Sequence, residues 1–185
     1  MFRGRLRKEL HPSVIKHVTE PYLYAAKKEL SHHFYIHKAH VVMLKEQKLI
    51  RADEARVILQ GLSELEKEDI YGGGLDVGTD LYMNLETHLI KRVGEVGGKM
   101  HIGRSRNDIY ATSLRMEVRN QILETVEKLL QLIQAILKVA QVHLQTLMPG
   151  YTHWQHAQPV TLAHYLTGIT QALGRDLNRL MVAYE

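Results

Sequence analysis

Residues 107–147 form a run of 41 positions without a glycine or a proline. At about 1.5 Å of rise per residue, such a run predicts a helix of roughly 60 Å. Within it Val118, Ile122, Val126, Leu129, Ile133, Ile136, Ala140, His143 and Leu147 step by fours and threes, which is the seam of a coiled coil or long bundle. In a chain of 185 residues only the final segment, 160–185, can cover part of that seam. The seam therefore calls for partner helices from further chain or further subunits. No strand-period pattern of any length is found. The expected fold class is all-α: a small N-terminal helical domain, residues 1–105, followed by the long helices of an incomplete central bundle, residues 106–185.

Shorter helices precede the long one. Pro21 suits a first helical turn. From 22 to 50 neither Gly nor Pro occurs, and Leu23, Ala26, Leu30, Phe34, Ala39, Val42 and Leu49 keep helical spacing. A second helix is predicted after Arg51, with Asp53 and Glu54 near its positive end, running to about Glu68. The glycines at 72–74 predict a break over 71–75, and a third helix fits 79–96 with Thr79 as candidate N-cap. Gly97, Gly98 and Gly103 mark a loop before the long helix. The basic first residues, MFRGRLRKELHPS, lack the apolar core of a secretory signal and read as a poorly ordered leader. The chain stops in mid-pattern at Tyr184-Glu185, which reads as truncation.

The absence of cysteine excludes disulfides, thiolate metal sites and cysteine nucleophiles, and fits a reducing, cytoplasmic setting. No apolar run reaches 18 residues, so no membrane-spanning helix is expected. The net charge of +4 is dispersed among acidic residues, and aromatic residues do not alternate with basic ones. Nucleic-acid binding is therefore not expected, and a small anionic substrate accounts equally well for the positive excess.

Two polar segments interrupt the helices. The first, GGKMHIGRSRND at 97–108, leads straight into the long helix. It puts free backbone amides, a hydroxyl, an amide and two guanidiniums at a helix N-terminus, where negative charge is favoured. An ordinary capped helix start, with Ser105 or Asn107 as the cap and Asp108 in the first turn, fits as well. The second, at 148–159, carries the chain's only tryptophan together with His153 and His156. It reads as a polar loop longer than a helix–helix connection needs. Histidine there suits proton transfer near neutral pH, although a packed corner explains the segment too. His33, His37 and His40 share one face of the first helix. That face reads as a helix surface or subunit interface rather than a metal site, because no acidic residue stands at ligand spacing among them.

GGKMHIGRSRND followed by MPGYTHWQHAQPVTLAHYL resembles the first two signature regions of argininosuccinate lyases and the related delta-crystallins, within the fumarase/aspartase superfamily. The resemblance runs from about residue 39 to the end and is strongest from 97 to 166. It implies reversible β-elimination of argininosuccinate to arginine and fumarate, with no metal or organic cofactor. It implies that Ser105, Arg106 and Asn107 hold the substrate with Arg104 nearby, that Thr152 binds a carboxylate, and that His153 is the acid/base. It further implies a homotetramer whose sites combine loops of three subunits.

The family's serine-bearing flexible loop lies past residue 185, so the chain alone is expected to be inactive. Tyr82 stands where the family has a substrate-contacting histidine, and His33 and His37 replace its usual Asp and Ser. These departures leave open a lyase with an altered succinyl-amine substrate. A non-catalytic structural or regulatory protein of crystallin type is the alternative from a different class.

Overall fold

The computed structural model describes residues 10–68 and 75–185. The first nine residues of the leader and residues 71–74 of the predicted break lie outside the described residues. The chain divides into two compact units, residues 1–117 and 118–185.

The first unit opens with α1 (Pro12–Val14), a π-helical turn (Ile15–Thr19), α2 (Glu20–Ala25) and a 3-10 turn (Ala26–Glu29) before α3 (Leu30–Glu46). The helix predicted from residue 22 thus starts earlier and changes pitch twice. Pro21, in the first turn of α2, has no N–H to return to the preceding turn, and the π-turn lies immediately upstream of that gap. α3 ends where Lys48 turns left-handed at φ 58°. Leu49 N–H then donates to the Leu44 carbonyl at 2.9 Å and Lys48 N–H to the Lys45 carbonyl at 3.0 Å, which together satisfy carbonyls that the helix end leaves open.

α4 (Ala52–Leu65) begins with a one-sided cap: the Glu54 carboxylate accepts from the Arg51 backbone N–H at 2.9 Å. α5 (Leu81–Val93) takes Asp80 rather than Thr79 as its N-cap, with Asp80 Oδ1 accepting from Met83 N–H at 2.8 Å. A 3-10 segment, Glu95–His101, follows α5. Phe34, Val41 and Leu44 of α3, Ile58, Leu62 and Leu65 of α4, and Leu81, Leu85 and Leu89 of α5 form one core with Met100 and Ile109. Each such side chain contributes about 1.5–3 kcal/mol on full burial. Gly61 lets α4 approach α5, because a Cβ there would lie 2.6 Å from Val93 Cγ1.

α6 (Arg106–Val142) is the long helix, and α7 (Leu162–Tyr184), capped by Thr161, is the last. Within the second unit the predicted seam is the shielded stripe of α6. Ile122, Val126, Leu129, Ile133, Ile136 and His143 are half-buried and Ala140 is buried. Val118 and Leu147, at the ends of the predicted seam, are exposed. α7 buries Ala163 and Thr170, and the Arg119 guanidinium lies 3.9 Å over the Tyr184 ring. Leu130, Leu132, Leu137, Val139 and Val182 remain exposed on the other faces of the two helices.

The fold is all-α apart from one feature that the sequence reading missed. Residues 148–159 do not form a loop; they lie in an antiparallel hairpin, β1 (Leu147–Thr152) with β2 (Gln155–Thr161). Pro149 holds the residue before it extended, and Thr146 O accepts from Leu162 N–H at 2.9 Å, so the end of the glycine-free run leaves the helix. The register shifts between Pro149 and Tyr151, where a Cβ on Gly150 would lie 2.8 Å from the Gln158 carbonyl oxygen. Eight of the thirteen strand positions are open to solvent and none is fully buried, and no apolar alternation marks the strands in sequence.

Candidate active site

The arginine-bearing loop, residues 102–105, joins the 3-10 segment to α6 and turns at Gly103, where φ is 71°. A left-handed residue here favours glycine. Ser105 caps α6: its Oγ accepts from Asn107 N–H at 3.2 Å, and Asp108 Oδ2 accepts from Ser105 N–H at 2.8 Å. The ordinary role foreseen for Ser105 is therefore present in the structure. It occupies Ser105 Oγ as an acceptor and leaves its O–H to donate. Asn107 is exposed at the second helical position, with its side chain making no hydrogen bond to the described residues.

Arg104 and Arg106 are held differently. Arg106 Nη1 pairs with Asp80 Oδ2, and Asp80 is itself fixed as the N-cap of α5. The turn carrying Asp80 is tied down by Asn84, whose amide donates to the Asp76 and Asp80 carbonyls at 3.0 Å and accepts from Asp76 N–H at 2.7 Å. Arg104 Nη2 donates instead to His37 Nδ1 at 2.7 Å and to the Met100 carbonyl at 3.3 Å. Its buried Nε has no hydrogen-bond partner among the described residues. Burial lowers the pKa of the Arg104 guanidinium, with Tyr82 and Asp108 acting in the opposite direction.

His33 and His37 correct the reading of a surface or interface face, since both are fully buried inside the first unit. They stand one turn apart on α3 with ring centroids 6.1 Å apart, and His37 lies 5.9 Å from the Tyr82 ring. Tyr82 in turn lies 4.5 Å from His101 and donates its hydroxyl proton to buried Glu86 at 2.7 Å. Burial pushes the His33 pKa down to about 4 and that of His37 well below its ordinary value, so both rings are neutral at neutral pH. Only His40 is partly open to solvent, its Nε2 2.9 Å from the Ile102 carbonyl oxygen. Among the described residues no group of three or more His, Cys, Asp or Glu could hold a metal ion.

In the second unit, Thr152 and His153 share the tip of the hairpin. Thr152 pairs with Gln155, and the two turn residues between them, His153 and Trp154, are both left-handed at φ 48° and 64°. Two-residue turns of this hand favour Asn-Gly, so His and Trp sit there at a conformational cost. His153 is exposed and Trp154 is 98% exposed. One strand position back, Tyr151 Oη and His156 Nε2 are 3.1 Å apart.

The structure thus gathers Arg104, Ser105, Arg106 and Asn107 around the start of α6, and Thr152 and His153 at the hairpin tip. The sequence reading missed Asp80 and Asn84. The cap signal of an Asp just ahead of the third helix could have pointed to Asp80, whereas nothing local announces the role of Asn84.

A protein-family model described as "Lyase" matches residues 15–185. The argininosuccinate lyase of Methanocaldococcus jannaschii is 42% identical over 185 residues, covering 99% of this chain and 38% of that protein. That of Methanococcoides burtonii is 48% identical over 149 residues, covering 80% of this chain and 30% of that protein. The chain therefore spans about a third of the length of these relatives. Among solved structures, a variant of EDDS lyase with bound fumarate matches 96% of this chain and 35% of its own, at 35% identity and a TM-score of 0.78. The β-carboxy-cis,cis-muconate cycloisomerase of Acinetobacter calcoaceticus, at 20% identity and a TM-score of 0.71, shares the fold. No helix among the described residues is long and apolar enough to cross a membrane.

Proposed function

The chain belongs to this lyase family, and from that premise we propose that its protein is a carbon–nitrogen lyase that eliminates fumarate from argininosuccinate. The observation that carries the proposal is the loop at 102–105, which sets the Arg104 and Arg106 guanidiniums and the hydrogen-bonding side chains of Ser105 and Asn107 at the start of a long helix. Cationic and hydrogen-bonding groups fixed in advance suit a substrate whose succinyl part is a dicarboxylate and gains further carboxylate charge as it reacts.

In the proposed reaction a base takes the proton from the carbon next to one carboxylate, and the electrons left behind spread into that carboxylate as a dianion. They return to form the carbon–carbon double bond as the carbon–nitrogen bond breaks. An acid protonates the departing guanidino nitrogen, giving arginine and fumarate. Ser105, Arg106 and Asn107 hold the substrate with Arg104, Thr152 binds a carboxylate, and exposed His153 serves as the acid/base, since imidazole exchanges protons near neutral pH. The protein acts as a homotetramer in which different copies contribute to one site. Residues 1–105 form its N-terminal domain and residues 106–185 the start of the central bundle. No metal or organic cofactor takes part.

The test is the absorbance of fumarate when the intact protein is given argininosuccinate. A rise proportional to enzyme is expected, and no rise with arginine and fumarate also failing to combine in reverse would end the assignment. A second reading keeps the reaction and changes the amine. It is favoured by His33, His37 and Tyr82, which fill the space behind Arg104 with neutral rings, and by the likeness to EDDS lyase. Turnover of another N-succinyl amine, with argininosuccinate inert, would select it.

A further inference from the structure

Arg104 and Arg106 stand two residues apart, yet of the two only Arg106 is ion-paired among the described residues. The guanidinium of Arg106 is paired with the Asp80 carboxylate. That of Arg104 has no ion pair among the described residues, and both of its hydrogen bonds end on neutral acceptors, His37 Nδ1 and the Met100 carbonyl. A guanidinium has no lone pair to offer, so His37 Nδ1 must be the unprotonated nitrogen and Nε2 must carry the hydrogen. The ring cannot easily turn away: His33 meets it edge-on at 6.1 Å and Tyr82 lies 5.9 Å off. Arg104 itself is not sealed in. It lines a groove of about 480 Å³ with Tyr35, Ile36, His40, Asp108 and Thr112.

We infer that His37 is the positioning residue of Arg104, holding the guanidinium by a neutral acceptor so that it stays free of an ion pair and available to a carboxylate of the substrate. The inference rests on the proposed lyase function and sharpens it. A carboxylate in place of His37 would orient Arg104 equally well, but it would neutralise the charge that the substrate needs. A neutral imidazole orients without neutralising. His37, neutral because burial opposes its protonation, stays an acceptor at neutral pH. Both Nη2 hydrogens are committed, to His37 and to Met100, so a substrate carboxylate would be met by the remaining nitrogen, Nη1, with its two hydrogens.

Two variants of the intact protein test this. His37→Phe keeps a ring but removes the acceptor, and His37→Asn supplies an amide oxygen close to where Nδ1 stood. For His37→Phe, KM for the succinyl-amine substrate and Kd for fumarate used alone as a probe should both rise about tenfold, with kcat changed far less. His37→Asn should restore most of the loss. Equal values for His37→Phe and wild type, or equal impairment of both variants with unchanged thermal unfolding, would overturn the inference. A second readout does not depend on turnover. In protein with 15N-labelled histidine, His37 should show an unprotonated Nδ1 and a protonated Nε2, and Arg104→Met should shift the Nδ1 resonance. A protonated Nδ1, or no response to Arg104→Met, would overturn the positioning role even in an active lyase. The expected tautomer and response in a protein with no lyase activity would sink the functional assignment while leaving the His37–Arg104 pairing in place.

Discussion

The two units treat their apolar residues in opposite ways. In the first, leucines from three helices disappear into one core, and some of the polar groups buried with them are tied to named partners: Asp80 to Met83 and Arg106, Asn84 to the turn before α5, Tyr82 to Glu86. Both His33 ring nitrogens and the Ser113 hydroxyl have no hydrogen-bond partner among the described residues. In the second, α6 and α7 bury a narrow stripe and leave leucines and valines open on their other faces, and the hairpin ends in two left-handed residues, one of them an exposed tryptophan. The first unit is built to hold shape by itself. The second carries more apolar surface than its own two helices cover, as expected of bundle helices that take further partners. On the proposed function, the substrate-holding groups at 104–107 stand on the first unit, whereas Thr152 and the acid/base His153 stand at the exposed hairpin tip of the second.

Core substitutions should break this contrast most sharply. Leu62, fully buried in α4, should cost about 3 kcal/mol on truncation to Ala. Leu137, 43% exposed on α6, should stay within about 0.5 kcal/mol in the isolated chain. Paired thermal or denaturant melts measure both, and an equal loss at the two sites would contradict the division.

Acid should act on the first unit next. His33 has its folded pKa depressed to about 4 from an ordinary 6.5. As pH falls, the unfolded chain takes up this proton first, so stability is complete above pH 6.5 and declines between 6.5 and about 4. The loss is on the order of 3 kcal/mol. His33→Phe should flatten that slope in a pH series of melts; an unchanged slope would locate the acid sensitivity elsewhere.

A smaller effect separates the two duties of Asp80. Asp80→Asn keeps a good N-cap and loses the charge facing Arg106, whereas Asp80→Ala loses both. The alanine variant should be less stable than the asparagine variant by about 1 kcal/mol. Equal melting of the two would mean that the cap contributes nothing measurable.

Helices were legible in the sequence wherever apolar residues stepped by threes and fours, as in α4, α5 and the seam from Ile122 to His143. The pitch changes before Leu30 were not, because no apolar pattern marks them; the π-turn at Ile15–Thr19 adjoins the missing N–H of Pro21. The hairpin was illegible as well: strands with no fully buried position carry no apolar alternation, and Pro149 and Pro159 argue against strands when met in isolation. In the candidate site, the Ser105–Asp108 cap could be read from spacing alone. The burial of His33 and His37 could not, since three histidines on one helix face look the same in sequence whether that face meets solvent or a core. The pairing of Arg106 with Asp80 spans 26 residues and is visible only once α5 and α6 are in place.

On the proposed function, binding rests mainly on the arginine-bearing loop and proton transfer on the hairpin. Steady-state kinetics of the intact protein with argininosuccinate, comparing wild type, Arg104→Met and His153→Asn, tests it directly. Arg104→Met should act mainly on KM. His153→Asn should lower kcat by about 10²–10⁴-fold without lowering the melting temperature. A His153→Asn variant that keeps wild-type kcat would contradict the account.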